Sequence, residues 1–406
     1  MCGAAAVTGL LVGWSVLPVG PANAAPSKAA SSSPLATQLA VLQSPVAGGV
    51  HGRFGFSVAV SGTTAVVGRP DGAYDEGWAY IYVKGPAGWP TTPTVALHDP
   101  AATAGDGFGR SVAVSREMIV VGARGTNAQA GVAYVYLKGA VGWPAMPTAT
   151  LQDPASNAGD EFGDSVAVSR TTAVIGAPGT NRSAGAGYIY VKGGAGWPTI
   201  PTATLQDPAA TARDSFGSSI AVWDDTVIVG APLTNGSAGA AYIFVLGAAG
   251  WPTTPTVTLH DPAANTYDAR FGCSVAVSGS TAVVGAVGTN EIGGSGYGYG
   301  AAWTYPKGAA GWPTRPTANL YPVSQGGFDF GFSVAVSGTT VMVGEPGQFL
   351  FPVVWIYLKR GSGWPHRRPP DVVFGRSVAM SGTTAIVGVY DFVRPWQVAA
   401  ADIYRV

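Results

Sequence analysis

Pairs of aspartates seven residues apart are the residues of this 406-residue chain best suited to chemistry. A ring of such carboxylates could bind a cation or a basic ligand, and two of them, for instance Asp160 and Asp214, could serve as the acid pair of a glycosidase. The alternative, which we favour, is that each aspartate caps backbone amides of its own turn. The pairs are Asp99/Asp106, Asp153/Asp160, Asp207/Asp214 and Asp261/Asp268, and later copies keep Asp329 and Asp371.

A Gly-Trp-Pro motif also recurs, and its tryptophans could contact a ligand. An exposed tryptophan offers a large flat apolar surface with one hydrogen-bond donor, which suits stacking on a sugar ring. We favour a structural role instead, because a residue repeated at one position of every repeat usually belongs to the architecture. The six copies are Trp89, Trp143, Trp197, Trp251, Trp312 and Trp364.

Histidine, cysteine and serine give no catalytic pattern. His98 and His260 occupy positions that sister repeats fill with Gln152 and Gln206, so neither is expected to be a catalytic base. Zinc-binding histidine spacings and the Gly-x-Ser-x-Gly nucleophile motif are missing from the sequence. Of the two cysteines, Cys273 is expected to be a small buried strand residue. We therefore predict no catalytic residue and no metal site.

Charge and composition narrow the classes of partner. Lys and Arg number 22 and Asp and Glu also number 22, so the chain lacks the basic surplus that nucleic-acid binding requires. A hydrophobic fraction of 47% is enough for a large core, and 59 glycines with 31 prolines indicate many turns and few long helices.

The N-terminal segment resembles an export signal. Residues 4–19 are apolar, and Ala22-Asn23-Ala24 forms a small-residue cleavage site. We expect a signal peptide over residues 1–24, a flexible linker over 25–37, and a secreted monomer with no membrane span once the signal is removed. The remaining residues, 38–406, are expected to form one domain.

A repeated Phe-Gly pair followed by Ser-Val-Ala-Val determines the predicted fold. Its seven copies begin at Phe54, Phe108, Phe162, Phe216, Phe271, Phe330 and Phe374. Each copy contains four strand-like segments with period-two alternation, separated by Gly and Pro. Four antiparallel strands repeated seven times predict an all-β, seven-bladed β-propeller.

The two ends of the repeat region predict how the propeller closes. The last copy ends after its third strand at 401–406, and the chain begins with a segment, 39–45, that matches a fourth strand. The N-terminal strand is therefore expected to complete the last blade, which leaves no exposed sheet edge.

The repeats resemble the FG-GAP repeat of integrin α-subunit propellers, and more closely those of secreted bacterial FG-GAP proteins. The signature stands at Gly176-Ala177-Pro178 and Gly230-Ala231-Pro232. The resemblance implies a binding or adhesion module. Integrin-type calcium loops contain several aspartates between the first two strands, whereas this chain has Ser-Gly-Thr-Thr or similar there. Only Trp223-Asp224-Asp225-Thr226 comes near, so these sites are absent or at best one survives, and we predict no cofactor, with calcium as the open alternative.

Three segments break the repeat, at 291–299, 348–352 and 366–370, and they are consistent either with a ligand site or with decay of the repeat. The last shortens the passage from Trp364 to Phe374, so blade six is expected to lack a proper outer strand. The leading hypothesis is a non-enzymatic module for an extracellular protein or glycan. A polysaccharide hydrolase or lyase and a scaffold without a ligand remain as alternatives. The candidate ligand-binding residues are Asp106, Asp160, Asp214, Asp268, Trp143, Trp197 and Trp251.

Overall fold

The computed structural model describes residues 36–45, 53–70, 77–101, 104–209, 211–263, 268–289, 299–322, 329–347, 352–361, 363–364, 372–389 and 399–406. The expected signal peptide, nearly all of the expected linker, the segment 366–370, Asp371 and most of the segments 291–299 and 348–352 lie outside these residues. Among the described residues, no helix has the length and apolar character needed to cross a membrane.

Seven four-stranded antiparallel sheets follow one another along the chain, as the repeat predicts. The first strand is β1 (Thr37–Gln43). Blade one contains β2 (Ser57–Ser61), β3 (Thr64–Arg69), β4 (Trp78–Val83) and β5 (Val95–His98). Blade two contains β6 (Ser111–Ser115), β7 (Met118–Ala123), α1 (Thr126–Gln129), β8 (Val132–Leu137) and β9 (Ala149–Leu151). Blade three contains β10 (Ser165–Ser169), β11 (Thr172–Ala177), α2 (Thr180–Ser183), β12 (Ala186–Val191) and β13 (Ala203–Leu205).

The remaining blades repeat this order. Blade four contains β14 (Ser219–Trp223), β15 (Thr226–Ala231), α3 (Thr234–Ser237), β16 (Ala240–Val245) and β17 (Val257–His260). Blade five contains β18 (Phe271–Ser278), β19 (Thr281–Ala286), β20 (Ala301–Pro306) and β21 (Ala318–Leu320). Blade six contains β22 (Ser333–Ser337), β23 (Thr340–Glu345), β24 (Val353–Leu358) and β25 (Val372–Phe374). Blade seven contains β26 (Ser377–Ser381), β27 (Thr384–Val389) and β28 (Ala400–Arg405), with β1 as its fourth strand.

The ring closes between the two ends of the repeat region, which confirms the predicted closure. Strand β1 pairs antiparallel with β28, with Gln43 opposite Ala400. It begins at Thr37, one residue before the expected start of the domain. The Tyr82 hydroxyl of blade one donates to the Gln43 carbonyl oxygen at 2.9 Å, so β1 contacts blade one as the fourth strand of a preceding blade should.

A hydrophobic core lies at each interface between neighbouring blades. Phe108 of the second Phe-Gly pair is fully buried and packs on Tyr134, with ring centroids 5.7 Å apart. Side chains from both blades surround it, among them Ile81 and Leu97 of blade one. The Phe-Gly phenylalanines therefore stabilise the ring by filling the space between sheets, at about 25 cal/mol per Å² of apolar surface buried.

A serine and two glycines bring neighbouring blades into close contact at six of the seven seams. In blade three, the Ser165 hydroxyl donates to the Gly217 carbonyl oxygen of blade four at 2.6 Å. A Cβ atom on Gly176, which pairs with Ser165, would overlap that same carbonyl oxygen. Equivalent bonds join Ser57 to Gly109, Ser111 to Gly163, Ser219 to Gly272, Ser274 to Gly331 and, across the closure, Ser377 to Gly55.

The seam between blades six and seven departs from this pattern. Strand β25 pairs with β24, so blade six does have a fourth strand and the expectation that it would lack one is wrong. The residues directly before Gly375 supply that strand, because Phe374 of the seventh Phe-Gly pair belongs to β25. The Ser333 hydroxyl consequently donates to the carbonyl oxygen of Arg376 at 2.6 Å, not to that of Gly375.

Antiparallel order gives the propeller two distinct faces. We call turn face the one that carries the short turns between first and second strands and the Gly-Trp-Pro loops between third and fourth strands. We call loop face the opposite one, where second strands connect to third strands and each blade connects to the next. The paired aspartates, α1, α2 and α3 belong to the loop face.

Candidate functional site

The first aspartate of each pair on the loop face holds two blades together. Asp153, which follows the last strand of blade two, accepts hydrogen bonds from the Tyr188 hydroxyl of blade three at 2.5 Å and from the Ala155 backbone N–H at 2.7 Å. The Thr180 hydroxyl, at the start of α2, donates to it at 3.5 Å. Asp99 and Asp207 make the same set of contacts at the neighbouring junctions. The three side chains are buried, so their carboxyl oxygens contact the protein and are not presented to a ligand at the surface.

The second aspartates of the pairs, all four of which are candidate ligand-binding residues, differ in exposure. Asp106, Asp160 and Asp214 are buried, whereas Asp268 is exposed and pairs with Arg270 at 2.9 Å. Asp160 accepts the backbone N–H of Asn157 at 2.8 Å, and Asp214 that of Thr211 at 3.0 Å. Burial raises the pKa of both carboxyls. These are the contacts of aspartates that cap turns.

The candidate tryptophans lie on the turn face and pack against the blades. Trp143 is buried in the core between blades one and two, and the Lys138 ammonium lies 5.8 Å from the centre of its ring. Trp197 and Trp251 are partly buried and pack against the next two cores. Much of each indole surface is therefore covered by the protein's own side chains.

A cavity of about 830 Å³ opens at the centre of the turn face. Its walls are the last residues of the seven first strands, so every blade contributes to it. The deeper layer is apolar and consists of Val60, Val114, Val168, Val222, Val277, Val336 and Met380. The outer layer is a ring of six serines and one tryptophan, Ser61, Ser115, Ser169, Trp223, Ser278, Ser337 and Ser381, which we call the rim.

Trp223 breaks the sevenfold pattern of the rim. It stands where each of the other six blades has serine, and 48% of its surface is exposed. A half-exposed indole beside a cavity offers a flat apolar surface with one hydrogen-bond donor, which makes Trp223 a candidate ligand contact. In the sequence, Trp223 stands out only as part of a possible calcium loop. The signal that identifies it is the alignment of the seven copies at this one position.

Charged residues line the cavity on blades two, three and four. Arg116 and Glu117 of blade two, Arg170 of blade three and Asp224 of blade four line the cavity. The Arg170 guanidinium pairs with the Asp224 carboxylate at 3.2 Å, and the Asp224 backbone N–H donates to the Ser169 hydroxyl at 3.1 Å.

The backbone at Arg170 and Asp224 is strained. Both residues have φ of 52°, in the left-handed region that favours glycine. Four other blades place glycine at this position, at Gly62, Gly279, Gly338 and Gly382, with φ of 55–58°. Side chains kept where glycine fits best are typical of functional sites.

The residues of this region do not fit a calcium ion. The Asp224 carboxylate is paired with Arg170, and Asp225 accepts a bond from the Thr226 hydroxyl and faces the Lys307 ammonium at 3.7 Å. Calcium needs six to eight oxygen ligands. Among the described residues, no group of three or more His, Cys, Asp or Glu side chains could hold a metal ion.

Comparison with known proteins agrees with this architecture. The FG-GAP repeat model matches residues 93–136, 147–191, 202–244 and 254–305, which run from the last strand of blade one through the third strand of blade five. Among solved structures, the chain is similar to the WD40 domain of coronin from Toxoplasma gondii, with a TM-score of 0.53 and 11% identity over 91% of this chain and 85% of that one. That likeness concerns the fold alone. No curated protein matches the chain. The four matches, in phase with the blades, show that the chain belongs to the integrin-like FG-GAP repeat family.

Proposed function

We propose that this protein is a secreted, non-enzymatic binding module whose ligand, an extracellular protein or glycan, enters the turn-face cavity. FG-GAP propellers are typically non-enzymatic binding modules. The observation that carries the proposal is the departure from the repeat at the rim, where Trp223, Arg170 and Asp224 replace the serine and glycines of sister blades.

The physical reason is that a repeat needs asymmetry to recognise a ligand. Seven identical serines around a cavity would offer the same group in every direction. One half-exposed indole and an adjacent ion pair give the cavity a preferred side, at blades three and four. Ligand sites commonly combine an apolar concave wall with a few polar groups, in cavities of about 300–1,000 Å³. The valine layer and the serine ring correspond to that description.

The carboxylates of the loop face are structural groups, which favours a binding module over an enzyme that uses them for catalysis. A glycosidase needs one carboxyl group that gives up a proton and another that attacks or activates water. Asp160 and Asp214 are buried and each accepts a backbone N–H bond. Such groups stabilise their own loops.

The test begins with export and continues with binding. The full chain is expressed in a secreting bacterium, and mass spectrometry of the medium is expected to find a protein that starts at Ala25. That protein is then applied to panels of extracellular matrix proteins and of glycans, with calcium and with a chelator.

A rim variant carrying Arg170→Gly, Trp223→Ser and Asp224→Gly gives blades three and four the residues of their sister blades. We expect it to lose at least about tenfold in affinity for whatever probe the wild type binds. The matched control is Phe332→Ser, which removes a 40%-exposed aromatic residue at the start of a first strand, on the loop-face side. Equal binding by the rim variant and the wild type would show that the site lies elsewhere.

A further inference from the structure

We infer that the ligand of the turn-face cavity is an uncharged sugar chain, with one sugar ring stacked on Trp223 and its hydroxyls bonded to the serine ring. This inference rests on the proposed function and specifies the class of ligand. It follows from three properties of the cavity lining, which are its hydrogen-bonding groups, its aromatic surface and its charge.

The hydrogen-bonding groups are hydroxyls, which both donate and accept. Ser169 accepts the Asp224 backbone N–H, and Ser381 accepts the Gly62 backbone N–H at 3.3 Å, so each hydroxyl can still donate its proton to a ligand. An apolar ligand would cover six serines without bonding to them, which costs free energy for each hydroxyl left unpaired. A ligand that is itself rich in hydroxyls meets both requirements.

The aromatic surface is the indole of Trp223. A sugar ring has one face of C–H groups and a perimeter of hydroxyls, so it is apolar on one side and polar around its edge. The rim presents the same two characters next to each other, an exposed indole between the serines of blades three and five. Burying the exposed part of the indole against a C–H face contributes apolar burial and leaves the hydroxyls free to bond.

The charge of the lining is balanced, which favours an uncharged ligand. Arg116 and Arg170 are offset by Glu117 and Asp224, and one of the two arginines is already paired at 3.2 Å. A site for sulfated or uronate-rich polymers requires unbalanced cationic groups, because attraction to a polyanion depends on net charge of the opposite sign. The valine layer carries no charge, so a basic or acidic protein segment that entered it would meet no group of opposite charge there.

The experiment compares three sets of probes on the secreted chain. The first contains neutral oligosaccharides of glucose, galactose, mannose and N-acetylglucosamine, the second contains heparin and polygalacturonate, and the third contains extracellular matrix proteins. Affinities are measured by calorimetry for the wild type, for Trp223→Ser and for the control Phe332→Ser. Trp223→Ser introduces the serine that six blades already have, and Phe332→Ser introduces the residue that blade four has at the equivalent position, Ser218.

We expect a neutral oligosaccharide to bind, Trp223→Ser to weaken it at least about tenfold, and Phe332→Ser to leave it unchanged within about twofold. A second measurement needs no variant. Mild oxidation of tryptophan, located by peptide mass spectrometry, is expected to modify Trp223 in the free protein and to spare it when the oligosaccharide is bound.

The outcomes separate this inference from the proposed function. If only the anionic polymers or the proteins bind, and Trp223→Ser weakens them, the cavity is a binding site but the ligand is not an uncharged sugar. If no probe in any set depends on Trp223, both the inference and the proposed site are overturned. Neutral oligosaccharides that fail to bind at about 10 mM overturn the inference by themselves.

Discussion

Blades two, three and four are the most alike on the loop face and the most divergent on the turn face. On the loop face, Asp99, Asp153 and Asp207 make the same bonds to a tyrosine, a threonine and a backbone N–H. On the turn face, the same blades replace the serine or glycine of the short turn with charged residues and Trp223.

Blade six shows the opposite distribution. It keeps serine and glycine at the turn, as blades one, five and seven also do. Its loop-face contacts are substituted instead, since Pro322 stands where Asp99 would be and the Trp355 indole donates to the buried Glu345 at 2.5 Å. The difference teaches that the repeated stabilising contacts and the proposed recognition site lie on opposite faces of the same blades.

The strongest test of the comparison concerns the seams. We expect Gly176→Ala to lower the free energy of unfolding by at least about 3 kcal/mol, because its Cβ would overlap the Gly217 carbonyl oxygen. Gly344→Ala, at the irregular seam, places its Cβ 2.7 Å from the Arg376 carbonyl oxygen and is expected to cost less. Urea unfolding measures both, and equal losses would contradict the distinction between the two seams.

A smaller effect is expected from the aspartates of the loop face. Asp153→Ala leaves the Tyr188 hydroxyl and the Ala155 N–H without their buried acceptor and should cost about 2 kcal/mol. The control Asp268→Asn removes an exposed charge, keeps a residue that tolerates the left-handed backbone at this position, and is expected to change stability by less than about 0.5 kcal/mol. Thermal unfolding of the two variants measures the difference. A large loss for Asp268→Asn would show that exposure does not separate these positions.

The substituted junction of blade six should make the stability of the protein depend on pH. Burial raises the pKa of Glu345 above the ordinary value of 4.5, so the folded state holds the proton more tightly than the unfolded chain. This contribution to stability is complete below pH 4.5 and is lost as the pH rises through the raised pKa. Glu345→Gln does not ionise and can still accept the Trp355 N–H. We expect it to match the wild type in stability at pH 4 and to be more stable than the wild type at pH 8. A gap that does not change with pH would contradict this.

The smallest effect has the opposite sign and concerns the rim. Arg170→Gly and Asp224→Gly each remove the backbone strain of a left-handed residue and lose only an exposed ion pair. Each substitution should therefore raise the free energy of unfolding by about 0.5 kcal/mol. Gly62 already occupies this position and provides the reference conformation. Chemical unfolding measures the gain, and a loss of stability would indicate that these side chains support the fold.

The sequence predicted the architecture well because a propeller repeats its signals seven times. Alternation in Ser-Val-Ala-Val, the Phe-Gly spacing and the unmatched segment 39–45 were sufficient for the blade number and the closure. The outer strand of blade six was missed because its residues overlap the seventh Phe-Gly pair, so one Phe is used by β25.

The candidate site was harder to predict, since its contacts cross between blades. The capping role favoured from the sequence concerns one turn, and nothing within one repeat shows that Asp153 also bonds to Tyr188 of the next blade. The rim went unnoticed for a different reason. Trp223 attracts notice in the sequence only as part of the most acidic turn, and its place in the rim becomes visible when the first strands are arranged around a common axis.

The closure by β1 determines when the ring can close during synthesis of the chain. Ser377 and Gly55, which join across the seam, are 322 residues apart in the chain. At about 5–20 residues per second, a ribosome takes on the order of half a minute to make the second partner after the first. During that time β1 has no strand to pair with and blade one has one uncovered side. Because β28 is the last strand in chain order, β1 cannot pair with it before synthesis reaches residue 405.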